Sequence, residues 1–330
     1  MQDLITQTCI EIKAPGGPGV LQSTLRSAES CDDNQLLIKV SAAGVNRPDV
    51  FQRLGLYPPP PGITDIPGLE VSGVVVDTGK NVRNWEIGDN VCALLSGGGY
   101  SNLAVADESL CLPIPKSITV THAASLPETC FTVWHNLFER AHLQSGEWLL
   151  VHGGASGIGT MAIQIASALG VKVIATAGTD EKCDVCIDLG AIRALNYNKC
   201  DFVDEINQLT ESGVNVVLDM VGGDYVMRNI HACAEHGRII SIAFLRGSNV
   251  QIDLMPVMLK KLVLTGSTLR SQSTANKARI AQALLKTVWP LIEQGKIKPV
   301  IDQFFRLSDA SEAHQRMESN KHIGKILLIP

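Results

Sequence analysis

The chain has 330 residues, 45% hydrophobic and 18% charged, with a formal net charge of −5. That length calls for two domains with sizeable cores. The acidic balance argues against a nucleic-acid surface, and no apolar run reaches membrane-spanning length. Nine scattered cysteines, an odd number, do not read as a disulfide framework. With no basic region followed by an apolar signal core at the N-terminus, the cytoplasm is the expected location.

Up to about residue 125 the pattern is short strands between Gly, Pro and Asp turns: Leu36–Val40, Val71–Val76 and Asn90–Leu95. Tyr57-Pro58-Pro59-Pro60-Pro61-Gly62 fits neither helix nor central strand and reads as a stiff surface segment. A helical block over 123–141 follows. The strand Glu147–Leu150 then enters Val151-His152-Gly153-Gly154-Ala155-Ser156-Gly157-Ile158-Gly159 and a helix running to Gly170. Strand, glycine-rich turn and helix form the context in which a dinucleotide's pyrophosphate meets the free N–H groups of a helix start. A ligand-free tight turn is the plainer alternative. Strands at Val171–Thr176, Val214–Asp219, Gly237–Ile242 and Leu262–Gly266 alternate with helices, which predicts a doubly wound parallel sheet. An amphipathic helix over 277–295, a shorter one over Ser308–Ser319 and a strand at Lys325–Ile329 complete the chain, and this tail is expected to return to the first domain.

The second strand of the alternating part ends without the acid that usually binds the ribose hydroxyls of NAD. Lys182 stands instead in the next helix's first turn, suited to a 2′-phosphate, while Asp180 and Glu181 speak against one unless they only favour the helix dipole. NADPH is therefore the expected cofactor. Cys183-x-x-Cys186 resembles a redox pair, but a helix position makes two small apolar residues the simpler reading. His152 reads as a packing residue, Asp219 as a turn cap as readily as a cofactor contact, and Glu128 as a helix-start acid.

Val45-Asn46-Arg47-Pro48-Asp49, Gly55–Gly62, Pro67-Gly68-Leu69-Glu70-Val71-Ser72-Gly73, the glycine turn, Thr176–Thr179, Asn196-Tyr197 and Asn320–Lys325 occur in this order. Together they resemble the zeta-crystallin-like NADPH:quinone oxidoreductases of the medium-chain dehydrogenase/reductase superfamily, with the p53-inducible branch nearest. The resemblance implies an α/β architecture: a GroES-like β-rich catalytic domain (1–126 and 268–330), a Rossmann domain (127–267), and a homodimer. It implies that Gly154, Ser156, Gly157, Ile158 and Gly159 hold the pyrophosphate. Gly178, Thr179, Lys182 and Tyr197 match positions around the 2′-phosphate, and Thr132, Phe244, Leu245, Ser267 and Leu269 match positions near the nicotinamide half. Asn46 and Tyr57 match the catalytic substrate side, joined by Arg47 and Asp49. His322 matches a cofactor-side position where close relatives carry Asn.

The zinc enzymes of that superfamily carry Cys where this chain has Asn46, and His where it has Leu69, so no metal is expected. The expected activity is zinc-independent hydride transfer from NADPH to a quinone or other electron-poor acceptor. Two alternatives remain open: NADPH-dependent reduction of enones, alkenals or enoyl thioesters, and a non-enzymatic, crystallin-like NADPH-binding role.

Overall fold

The computed structural model describes residues 6–330. The chain divides into two compact units, one reaching Phe131 and resuming over Arg270–Pro330, the other spanning Thr132–Leu269. The divide falls inside the helix Pro127–Val133, a few residues beyond the expected 126/127. Pro127 marks the helix start in the sequence, but the first turn is tied to the first unit, where Glu128 N donates to Glu70 Oε2 at 2.9 Å.

The first unit opens with the strands β1 (Thr6–Ile12), β2 (Leu21–Ser27), β3 (Gln35–Val45), β4 (Glu70–Thr78), β5 (Asn90–Leu94), β6 (Leu103–Asp107) and β7 (Cys111–Pro113). The second unit supplies β8 (Trp148–Val151), β9 (Lys172–Ala177), β10 (Arg193–Asn196), β11 (Val214–Asp219), β12 (Cys233–Ser241) and β13 (Val263–Gly266). The tail adds β14 (Ile301–Arg306) and β15 (Lys325–Ile329).

In the first unit β1 and β2 form a hairpin. The order β14-β15-β3-β4-β5-β7 makes the main sheet, with β6 also on β3. The tail is sewn in by antiparallel pairing of β15 with β3, Ile326 opposite Val45 and Leu328 opposite Ala43. Leu36, Ile38, Val71, Val75, Val91, Ile326 and Leu328 fill one core, so tail and first segment share a single apolar interior.

In the second unit the order β10-β9-β8-β11-β12-β13 is wholly parallel. Leu150, Ile174, Val217 and Ile239 are almost wholly buried, as strands covered on both faces require. The order reverses beside β8, and ligands of such sheets bind beyond the carboxyl ends of the strands at that reversal.

Two helical expectations change. The block over 123–141 separates into Val120–Ala123, Pro127–Val133 and a π-helical stretch Trp134–Arg140. The helix expected over 277–295 is Thr274–Thr287 followed by Trp289–Glu293. Pro290 explains the break, because it lacks an N–H and its ring clashes with the carbonyl four residues back.

Candidate functional site

Nearly all the residues expected on the cofactor side lie at or beyond the carboxyl ends of β8 to β13. β8 runs into Gly153, whose φ of 64° lies in the left-handed region that glycine tolerates. A Cβ on Gly154 would stand 2.8 Å from Ala175 Cβ and from Cys186 Sγ, and one on Gly159 only 2.2 Å from Gly153 O. These glycines let the helix Gly157–Ala168 start directly against the strand. Ser156 caps it, Oγ accepting from Gly159 N at 3.0 Å, and no acid occupies its first turn. The positive helix end, with Gly157 and Ile158 in its first turn, is thus left for an anion.

At the end of β9, a Cβ on Gly178 would lie 2.6 Å from Tyr197 Oη, which places the phenol over the turn. Thr179 caps the helix Asp180–Asp188, its Oγ1 accepting from Lys182 N at 3.2 Å. Asp180, the acid that spoke against a 2′-phosphate, is occupied: Lys199 pairs with it and Asn196 Nδ2 donates to it at 2.7 Å. The bond from Lys199, followed by that from Asn196, holds its carboxyl below the usual range. Lys199 was not singled out in the sequence because only the β9–β10 pairing makes it a neighbour of this turn.

Beyond β11, Asp219 Oδ1 accepts from Val221 N at 2.7 Å and Gly222 N at 3.2 Å, so this oxygen shapes the turn. Beyond β12, Phe244 and Leu245 remain 47% and 45% exposed, apolar surface at an edge where a flat ring could rest. Thr132 and Ser267 are joined through Asn136, whose Nδ2 donates to Thr132 O at 2.8 Å and whose Oδ1 accepts from Ser267 Oγ at 2.7 Å. Asn136 lies in the π-helical stretch, a distortion that frequently marks functional positions. Leu269 is buried at the end of this unit.

His152 packs edge-on against Phe202 and Tyr225 and is hydrogen-bonded to Thr176 and Asn229. Burial lowers its pKa, consistent with a neutral packing residue. Cys183 and Cys186 are free and buried, and burial pushes the Cys186 thiol up to about 12.

In the first unit, the Asn46 side chain is wholly committed. Its Nδ2 donates to Glu70 Oε1 at 2.9 Å, and its Oδ1 accepts from Lys325 Nζ at 2.6 Å. Lys325 also reaches Glu70 Oε1 at 2.5 Å and Val45 O at 3.0 Å. This ion pair is almost fully enclosed. Gly44 makes room for it, since a Cβ there would lie 2.2 Å from Glu70 Oε1. Leu69 is buried. Asn46 and Leu69 match two ligand positions of the zinc enzymes, and neither an amide committed to Lys325 and Glu70 nor an isobutyl group is a usual donor to that metal. Among the described residues no three His, Cys, Asp or Glu side chains cluster as a metal site.

Tyr57 is half-buried, its ring centroid 5.6 Å from the Arg270 guanidinium carbon. Burial raises its phenol pKa. Arg47 donates to Met317 O and Asn320 Oδ1, fastening the helix Ala310–Glu318. Asp49 caps the helix Arg47–Arg53 by accepting from Asn46 N at 2.8 Å. His322 belongs to this unit and is buried just before β15. Arg270, Lys277 and Lys325 escaped the sequence reading because neither spacing nor periodicity marks a buried cation.

The alcohol dehydrogenase GroES-like domain family matches residues 32–116 and the zinc-binding dehydrogenase family residues 157–286. The quinone oxidoreductase of Rattus norvegicus is 31% identical over 320 residues, covering 95% of each chain. The crystal structure of Escherichia coli quinone oxidoreductase complexed with NADPH is similar at a TM-score of 0.88 and 31% identity, over 98% of this chain and 100% of that one. The CurK enoyl reductase is similar at 0.87 and 26%, over 98% and 99%. With both family models matched in chain order and the likeness to quinone oxidoreductases running over nearly the whole length, the chain belongs to the quinone oxidoreductase family of the medium-chain dehydrogenase/reductase superfamily.

Proposed function

We propose that this protein is a zinc-independent, NADPH-dependent quinone reductase. The observation that carries this reading is the commitment of Asn46 to Lys325 and Glu70 beside the buried Leu69. With no metal to polarise it, the acceptor must be electrophilic by itself, and a quinone is. NADPH, when bound, supplies the hydride. Gly154, Ser156, Gly157, Ile158 and Gly159 hold its pyrophosphate at the helix start. Gly178, Thr179, Lys182 and Tyr197 hold the 2′-phosphate, and Thr132, Phe244, Leu245, Ser267 and Leu269 line the nicotinamide half. Tyr57 walls the acceptor, and Asn46 fixes the backbone that carries it. His322 completes the cofactor set by likeness to relatives alone.

The nine free cysteines favour the cytoplasm. A homodimer is supported by β13, the last strand of its sheet, beside the exposed Met255, Met258 and Leu259.

The test is cofactor oxidation by purified protein with quinones, enones and an enoyl thioester, before and after chelator dialysis. Quinones should turn over fastest, with NADPH preferred to NADH and no loss on dialysis. Lys182→Ala should weaken NADPH alone, by ~1.5–3 kcal/mol for a charge-assisted contact. Faster turnover of enones would establish the alkene-reductase reading. Tight NADPH binding without any turnover would establish the non-enzymatic one.

A further inference from the structure

Arg270 is 6% exposed. Its Nε donates to Ser96 O at 2.7 Å, yet neither terminal nitrogen of the guanidinium has a hydrogen-bond partner. Beside it Lys277, 3% exposed, donates to Ser96 Oγ at 3.1 Å and to Arg270 O at 3.0 Å. Two buried cations thus adjoin each other, and no carboxylate is hydrogen-bonded to either among the described residues. Asp49, Tyr57 and Glu128 supply only through-space charge or ring density to Arg270, and Glu128 does so for Lys277. Buried charges are normally paired, because desolvation is costly and unmade charged hydrogen bonds make it worse. The other enclosed cations of this unit obey that rule: Arg53 is paired to Glu318 and Lys325 to Glu70.

Arg270 is also held in place. Ser96 O fixes its Nε, and the Tyr57 ring lies 5.6 Å from its central carbon, a cation–π distance. What remains is a planar fork of N–H donors beside the aromatic wall assigned to the acceptor. Such a fork matches oxygen lone pairs in the plane of a flat conjugated molecule.

We propose that Arg270 is a catalytic residue that donates hydrogen bonds to the acceptor oxygen on which negative charge develops. This inference rests on the quinone-reductase reading. Two electrons and one hydrogen reach the quinone as hydride, and the cofactor is oxidised as the quinone is reduced. The hydride bonds to one carbonyl oxygen of the quinone, both carbonyl π bonds are lost as the ring becomes aromatic, and the displaced electron pair settles on the opposite oxygen as the hydroquinone monoanion. Arg270 keeps its proton and stabilises that oxygen, and Lys277 adds positive potential. A proton from water completes the hydroquinone. The unpaired fork selects acceptors with an exposed carbonyl or carboxylate oxygen at the edge of a flat ring.

The experiment compares the full-length wild type with Arg270→Met and Arg270→Lys. Turnover is measured with naphthoquinones of graded reduction potential, NADPH affinity by fluorescence titration, and binding of 1-naphthoate, a redox-inert aromatic carboxylate, by calorimetry. Arg270→Met should lower kcat by about 100-fold, as loss of an oxyanion donor does. The loss should grow as the quinone becomes a weaker oxidant, with NADPH affinity unchanged and naphthoate affinity reduced about tenfold. Arg270→Lys should recover part of the loss. Unchanged kcat and naphthoate binding would overturn the proposal, as would loss of NADPH affinity matching the loss of rate. If the Met variant melts early, Arg270→Ala with added guanidinium ion decides: saturable rescue supports the role and absent rescue refutes it. A wild type inert toward every quinone refutes the parent reading, and naphthoate binding still judges Arg270.

Discussion

Asp49 and His314 meet at one hydroxyl. Tyr100 Oη lies 3.2 Å from Asp49 Oδ2 and 3.0 Å from His314 Nε2. Burial dominates both pKa values, raising Asp49 from 3.8 to about 6 and lowering His314 from 6.5 to about 3. The signs are opposite. Between pH 4 and 6 folded Asp49 keeps a proton that the unfolded chain releases, so its contribution is lost as pH rises. Over the same window folded His314 refuses a proton that the unfolded chain takes up, so its contribution is lost as pH falls. Each slope is about 1.4 kcal/mol per pH unit, and they largely cancel. Relative to wild type, Asp49→Asn should therefore gain stability as pH rises from 4 to 6, and His314→Gln should lose it. Urea unfolding at pH 4, 5 and 6 checks both, and parallel curves for all three proteins would refute the assignment. The sequence showed the acid and the imidazole but not that they share a phenol, because their partners lie 51 and 214 residues away.

At the scale of elements, the glycine turn was the most legible feature. Its shape depends on contacts within a few residues, and these are what a sequence displays. Gly159 demonstrates it: the atoms its Cβ would strike, at 2.2 and 2.6 Å, are the carbonyl oxygens of Gly153 and Gly154. Backbone cannot swing aside as a side chain can. Gly159→Ala should push the helix off β8, costing about 1–3 kcal/mol of stability and weakening NADPH more than tenfold if the helix end holds the pyrophosphate. Thermal melting and NADPH titration measure the two effects, and unaltered NADPH affinity would remove the turn from the binding site. Less legible were β6, β10 and β14, five, four and six residues long. β14 reads Ile-Asp-Gln-Phe-Phe-Arg and shows no clean alternation. It is a strand because β15 pairs with it in parallel, a tertiary cause that local propensity does not contain.

For the molecule as a whole, the open edge of the second unit matters most. β13 ends its sheet, and Val263 and Leu264 are 51% and 39% exposed on it. Unpaired backbone groups beside apolar side chains invite another strand. A second copy of this chain is the expected occupant, in the symmetric manner of most homo-oligomers. Light scattering should give twice the monomer mass for the wild type, and the monomer mass for Val263→Lys combined with Leu264→Lys. A monomeric wild type would dismiss the dimer.

The sequence by itself determined the parallel alternation, the glycine turn with its helix, and the proline segment that lies outside helix and strand. Each is written in neighbouring residues, through periodicity, backbone freedom or the chemistry of one side chain. Only the tertiary structure decided what the buried charges do. Lys325 meets Asn46 and Glu70 from 279 and 255 positions away, and Arg270 meets Ser96 from 174. The energy of a charge depends on its solvent exposure and its partner, and neither is set until distant segments pack together.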